Sequence, residues 1–388
     1  MIPFNVPVVT PDVRKNLGEA LACPESLQGG GKFSRECIQQ ISKLSPASKV
    51  YLTTSCTSAL ELAAILINVK SGDEVIVPSY TYVSTANVFL LRGATIVYVD
   101  IDPRTMNMDV SLVEQAMTVK TVAVVPVHYG GSSCDMDSLL TIARQRGVFV
   151  IEDAAQAYSA TYKSRALGTI GHIGCFSFHA TKNYTAGGQG GAIMVNDSSM
   201  HARADVVYEN GTNRREFARG EKACYEWQDL GSNFQMSEIA AACLAAQLAA
   251  ITKINDDRRT LWNRYYQALV PLQQRKILEL PRIPAYAHHN SHIFWLKWHN
   301  EVSRQSFIKF MGEADISVAF HYIPLHSTPI GRATGRFSGS DNFTTREASR
   351  LVRLPLYHTL SGREQDEVIS RVLAFAKTVD HKALLSCL

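Results

Sequence analysis

A lysine and an aspartate carry most of the chemistry available to this sequence. Lys182 lies in Cys175-Phe-Ser-Phe-His-Ala-Thr-Lys182-Asn-Tyr-Thr-Ala-Gly-Gly-Gln-Gly-Gly191, where an apolar run leads into a polar turn and a glycine cluster. A lysine at a strand exit, with backbone able to approach closely behind it, suits a Schiff base to an aldehyde cofactor. A turn lysine is ordinarily only a solvated charge, so the reading depends on what stands near it. Asp153 ends the apolar run Val148-Phe-Val-Ile-Glu-Asp153. Ligands of open α/β sheets collect at the carboxyl ends of strands, although an aspartate there also caps helices. Next to a lysine-bound pyridine ring, such a carboxylate keeps the ring nitrogen protonated and makes the ring an electron sink. Gln156 is spaced to contact the ring hydroxyl, or is a plain helix-face amide.

Other residues suit the rest of such a cofactor. Ser55-Cys-Thr57-Ser58 precedes a helical pattern, and hydroxyls beside free N–H groups at a helix start bind phosphate. The same residues cap many helices that bind nothing. Ser177 can add a hydroxyl. Tyr80 and Tyr82 follow a strand, where an aromatic either stacks on a flat ring or packs in the core. Arg214, Arg215, Arg219 and Lys222 offer forked donors to a substrate phosphate, or form a solvated charged loop with their neighbouring glutamates. His128, His179, His321 and His326 lie near strand ends and are the histidines best placed for a site; His288 and His289 fall in a proline-rich connector. None has metal-site spacing, so no metal is expected.

The elements that must position these residues read as α/β. Runs at 49–53, 74–77, 95–99, 122–127 and 148–151 alternate with helical patterns at 58–67, 85–92 and 136–146. Continuous Val/Ile runs between helices predict strands buried on both faces of a mostly parallel sheet. Residues 237–255 predict a long Ala-rich helix continued by 257–269, with Pro271, Pro281 and Pro284 as breaks. Beyond them, short strands (293–297, 317–320) mix with helices (304–314, 345–351, 364–379). The expected division is a large α/β domain, residues 1–250, and a small α+β domain, residues 251–388.

Bulk properties agree with an ordinary globular chain: 388 residues, 46% hydrophobic, 19% charged, net charge +4. No basic block with interleaved aromatics implies nucleic acid. Eight cysteines form no CxxC pair, and several sit in apolar runs. No signal peptide is expected, and the apolar stretch 239–251 is too short to span a bilayer. A soluble protein of a reducing, cytoplasmic compartment is expected.

These motifs together resemble the DegT/DnrJ/EryC1/StrS sugar aminotransferases. The resemblance rests on Glu152-Asp-Ala-Ala-Gln156, on Ser177-Phe-His-Ala-Thr-Lys182-Asn and its glycines, and on Gly231-Ser-Asn233-Phe-Gln-Met236. It extends from Ile2-Pro-Phe-Asn5 to Arg353-Leu-Pro-Leu356. It implies a fold-type I pyridoxal-phosphate enzyme acting on a nucleotide-linked keto-sugar with L-glutamate as amino donor. Lys182 would anchor the cofactor and shuttle the proton, Asp153 would pair with the ring nitrogen, and Gln156 would contact the ring oxygen. Tyr82 would stack, and Thr57, Ser58 and Ser177 would hold the phosphate. Asn233 would reach the cofactor phosphate of a second subunit, placing the sites at a homodimer interface. His179, Arg215, Arg219 and His326 are the expected substrate contacts.

Long matched runs, among them residues 78–87, 165–179 and 321–326, resemble family members that aminate C4 of dTDP-4-keto-6-deoxy-D-glucose. Ala180 and Gln189 depart from those members, which carry acidic residues there. Amination at C3 is the nearest alternative, though members of that kind tend to carry Tyr-Pro before the Thr-Lys. A family dehydratase would have histidine in place of Lys182. A non-catalytic regulator would need no intact Lys/Asp/Gln set. A nicotinamide enzyme would show GxGxxG after an early strand.

Overall fold

The computed structural model describes residues 1–7 and 9–385. Its centre is an eight-stranded sheet in the order Lys49–Thr53, Gly191–Val195, Ile173–Ser177, Phe149–Asp153, Thr121–Val124, Glu74–Pro78, Thr95–Val99, Gly335–Phe337. Gly191–Val195 runs against both its neighbours, and the other strands share one direction. Alternation along each strand explains the runs of Val and Ile. Leu52, Ile76, Val97, Val150 and Met194 pack in one apolar layer, while Tyr51, Val77, Ile96, Ile151 and Ile193 pack in the other. Both layers are roofed by helices, so no face of a central strand meets water.

One roof is a trio of helices, Pro11–Leu21, Lys32–Ser42 and Glu238–Ala249. Glu238, 1% exposed, ties the third of these helices to the second. Its carboxylate accepts from the N–H groups of Gly31, Phe33 and Ser34 and from the Ser34 hydroxyl. A buried anion is stable there because it meets the unpaired donors and positive end of the second helix.

The C-terminal region has its own core, running from Leu261 to Ala376 around Trp298, Phe307 and Phe375. Its two-stranded sheet pairs Phe294–Lys297 with Leu351–Leu354. Several connections cross the expected division at residue 250, two of which bear on the site. Gly335–Phe337 joins the edge of the large sheet. The N-terminal arm pairs Ile2 with Ile316 and then runs back to the lysine turn, where Asn5 Nδ2 donates to the Ala180 carbonyl at 3.3 Å.

Three local expectations are corrected. The helix expected over 237–255 breaks at Ala250 into Glu238–Ala249 and Ile251–Gln274. Pro271 does not end the second helix but lies in its last turn. Leu269 and Leu272 on either side are buried, and their packing outweighs the proline's missing bond. Residues 317–320 form no strand; the segment makes single contacts, Ser317 N–H to the Ile2 carbonyl and a bridge from Ala319 to Arg353.

Candidate active site

A cavity of about 860 Å³ opens at the carboxyl ends of the central strands, where the C-terminal sheet leans over them. Lys182 reaches it by a short excursion of the chain. Past Ser177 the backbone stays paired with the returning strand: Phe178 N–H donates to Gly190, Ala180 N–H to Gly188, and Ala186 N–H to Phe178. The lysine therefore sits at the tip of a tied loop. Gly191 explains the glycine at the loop's return, because a Cβ there would lie 2.4 Å from the Ser55 carbonyl carbon. Only glycine lets the helix start at Ser55–Cys56 pack onto the lysine loop.

Burial holds the Lys182 amine below the ordinary lysine range; Cys56 and Asp153 oppose that shift and Arg353 adds to it. A neutral amine is what nucleophilic attack on an aldehyde requires. Burial pushes the Cys56 thiol well up, so that sulfur stays protonated and is not a competing nucleophile.

Asp153 is 5% exposed and fixed from two sides. Thr85 Oγ1 donates to Oδ2 at 2.7 Å, and the Ala155 N–H donates to Oδ1 at 3.1 Å. Thr81 in turn bonds Thr85. Gln156 is equally constrained: its Oε1 accepts from Gly130 N–H at 2.7 Å, and its Nε2 donates to Tyr322 Oη at 2.9 Å. Asn290 supports that segment by donating to the carbonyls of Gln156 and Tyr158. Gly131 makes room for it: φ is +79°, and a Cβ would lie 1.8 Å from Asn290 Oδ1. Gly131→Ala is expected to cost about 2–4 kcal/mol, adding left-handed strain to a displaced buried amide. A lowered urea midpoint at unchanged slope would be the result; a midpoint within error of the wild type would refute it.

The other end of the cavity is built by the helix Cys56–Leu66. Ser55 caps it, its Oγ accepting from Ser58 N–H at 3.1 Å. Thr57 Oγ1 bonds Ser84 Oγ at 2.8 Å, and both residues line the cavity with Ser177. Ser58 is set back, bonding Thr54 and Ser55. The set fits an anionic pyridine aldehyde: hydroxyls and helix N–H groups for a phosphate, a buried carboxylate, and a lysine whose charged form burial disfavours. Among the described residues, no three His, Cys, Asp or Glu side chains gather as a metal site. A second cavity, about 890 Å³, lies beside Trp262 and Lys276; its buried lysine, Lys297, is tied up by Glu279 and Glu347.

The structure brings together Lys182, Asp153, Gln156, Thr57, Ser177, Tyr82 and His179. Tyr82 is 58% exposed at the cavity, whereas Tyr80 is buried core, which separates the two aromatics of that motif. His321 lines the cavity and is stacked on Tyr322 at 3.7 Å. Besides Ser58, four expected contacts lie elsewhere in this protomer. Arg215 is spent on Asp205 and Glu209 and lies over the rings of Tyr51 and Tyr208. Arg219 pairs with Glu221 in an exposed loop. His326 bridges Ser79 Oγ and Asp341, pinning the C-terminal segment to a strand end. Asn233 is exposed and bridges to Glu209. His128 is also no cavity residue; it is buried against Glu152 at 2.9 Å.

Sequence reasoning missed Thr85, His292 and Arg353, which reach the cavity from distant segments. A polar residue opening the Pro-containing run Arg353-Leu-Pro-Leu356 was the one available sign of the last.

The sequence pattern of the DegT/DnrJ/EryC1/StrS aminotransferase family matches residues 14–373. The chain is 33% identical over 395 aligned positions to the spore coat polysaccharide biosynthesis protein SpsC of Bacillus subtilis, covering 98% of each. Among solved structures it resembles the aminotransferase TlmJ of Streptoalloteichus hindustanus, with a TM-score of 0.87 and 28% identity, covering 98% of this chain and 100% of that one. It also resembles the PLP-form of Spr1654, a putative sugar aminotransferase of Streptococcus pneumoniae, with a TM-score of 0.85 and 25% identity over 97% and 99% of the two chains.

Proposed function

Because this chain belongs to the DegT/DnrJ/EryC1/StrS aminotransferase family, we propose that it transfers the amino group of L-glutamate to C4 of dTDP-4-keto-6-deoxy-D-glucose, giving dTDP-4-amino-4,6-dideoxy-D-galactose. It is a sugar aminotransferase of fold type I, and its cofactor is pyridoxal phosphate. The observation that carries the reading is the meeting of Lys182, Asp153 and Gln156 in one cavity. The choice of C4 rests on the Phe178-His-Ala-Thr-Lys182 context.

When bound, pyridoxal phosphate supplies an electron sink for charge developing on the carbon beside the transferred nitrogen. The chain's own residues do the rest. Lys182 Nζ takes the proton from the donor's α-carbon and later delivers one to the sugar carbon. Asp153 holds a proton on the ring nitrogen, and Thr85 fixes the carboxylate that does so. Gln156 binds the ring oxygen, and Tyr82 covers the ring. Thr57 and Ser177 receive the phosphate, with Ser58 acting through the Ser55 cap.

A homodimer belongs to this proposal. Asn233 lies outside its own cavity, with Trp227 (77% exposed) and Leu230 (53% exposed) nearby in the sequence. A second copy covering them would let Asn233, and the loop bearing Arg215 and Arg219, serve the neighbouring site. The product suits a bacterial surface polysaccharide such as enterobacterial common antigen or a lipopolysaccharide O-antigen, built from the cytoplasmic side. No helix among the described residues is long and apolar enough to cross a membrane.

The test is incubation with glutamate and dTDP-4-keto-6-deoxyglucose, followed by mass spectrometry and NMR of the product. An axial amine at C4 is expected. An amine at C3, or turnover of the 3-keto isomer alone, overturns the regiochemistry.

A further inference from the structure

The residue after the lysine, Asn183, clamps the lysine loop to the C-terminal region. It is 3% exposed. Its Nδ2 donates to the Asn290 carbonyl, and its Oδ1 lies against His292 Nδ1, each at 2.9 Å. A carbonyl oxygen only accepts, so the atom facing Asn290 must be the amide nitrogen, and the amide oxygen must be the one facing His292. That oxygen can only accept, so His292 carries a proton on Nδ1. In the neutral ring Nε2 then bears a lone pair. Burial holds His292 well below the ordinary histidine range, and Lys182, Arg258 and Arg353 reinforce the shift.

The backbone behind the ring is fixed as well. The buried Arg258 donates to the carbonyls of Ser291 and His292. Asn290, two residues before His292, is held to the Gln156 segment by the two bonds described above. His292 lines the cavity, and no group among the described residues bonds its Nε2. His179, also in the cavity, is set the opposite way. Its Nδ1 accepts from the Thr181 N–H at 3.2 Å, so its neutral ring bears the proton on Nε2. One imidazole is thus built as a donor and another as an acceptor.

We propose that Asn183 holds His292 as the acceptor for the C3 hydroxyl of the keto-sugar, an inference that rests on the sugar half of the function above. The chemistry of the two substrates separates them. Glutamate, whose nitrogen is the group transferred, otherwise presents carboxylates; these only accept, and they would face the Nε2 lone pair with no proton between. The keto-sugar presents hydroxyls, which donate. Lys182, which moves the proton at the reacting carbon, is close enough to act on the His292 ring. The hydroxyl in reach is therefore one beside C4. Of the two neighbours of C4 only C3 carries a hydroxyl, since C5 bears the ring oxygen and a methyl group. His292 binds the sugar, and Asn183, acting through it, is a positioning residue.

The test uses the protein loaded with pyridoxal phosphate and follows its two half-reactions separately by cofactor absorbance, one with glutamate and one with dTDP-4-keto-6-deoxyglucose. His292→Leu is expected to slow the sugar half by roughly a hundredfold and to leave the glutamate half within about threefold. His292→Gln returns an amide oxygen near the place of Nε2 and should recover much of the loss. Asn183→Ala frees the ring's tautomer and should give a smaller loss in the same half. Calorimetry reads binding without turnover. His292→Leu should weaken unreactive dTDP-6-deoxyglucose by about tenfold, and leave dTDP and glutarate, a dicarboxylate with no amine to transfer, within about twofold. An unchanged resting spectrum and melting curve identify a folded variant, and Asn183→Ala with His292→Gln serve if His292→Leu fails that control. Equal slowing of both halves, or a wild-type sugar half in folded His292→Leu, overturns the inference alone. A wild type that reacts with glutamate but with no 4-keto sugar refutes the function above and this inference with it.

Discussion

Lys182→Ala is expected to lower turnover by about 10⁵-fold, the scale seen when a nucleophile that also serves as the base is removed. Pyridoxal phosphate should still bind, through Asp153 and the hydroxyls at the helix start, but without the absorbance of a covalently held cofactor. Wild-type absorbance in the variant would remove Lys182 from its role. The lysine's depressed pKa adds a signature in the apo-protein. Its folded value lies below the ordinary 10.5. Between those two values the unfolded chain binds more protons than the folded one, so stability rises with pH across that window. Below the folded pKa the buried amine must carry its charge, and the stability is lost. The stability difference between wild type and Lys182→Met should therefore move in favour of the wild type as pH rises. A pH-independent difference would mean that the amine is as well solvated folded as unfolded.

Asp153→Asn is expected to lower turnover by about 10³-fold while leaving the fold intact. The amide keeps the shape of the carboxylate and can still meet Thr85 and the Ala155 N–H, but it cannot hold a proton on a pyridine nitrogen. Removing that proton weakens the electron sink for both halves of the reaction equally. Glutamate-dependent and sugar-dependent half-reactions should slow together, at nearly unchanged affinity for glutarate and dTDP. Slowing of only one half would place Asp153 with that substrate rather than with the ring. Thr85→Val should show the same pattern in weaker form, since it removes one of the two bonds that fix the carboxylate.

Much of the site was legible because it is local. Lys182, its glycines and Ser177 lie within a strand–turn–strand of the chain, and Asp153 and Gln156 lie within another. A strand's carboxyl end is a place that period and composition reveal, and residues there point at the ligand whatever the remaining fold does. The helix Met136–Arg146, ending at Gly147, follows from its periodicity in the same way. The helix at 251–274 shows where this fails: in the sequence Pro271 reads as a break, and burial of its neighbours keeps it within the last turn.

Charge was the least legible property. A sequence shows which residues are cationic but not which of them have found an anion. Arg215 and Arg219 stand in the most suggestive basic segment, yet Asp205, Glu209 and Glu221 absorb their charge. Arg353 stands in an apolar strand and lines the cavity. By itself the sequence determined the α/β sheet, the lysine loop and the carboxylate beside it, because each depends on neighbours along the chain. The tertiary structure decided which arginine and which histidines face the ligand, because pairing and burial depend on segments that meet only when the chain is folded.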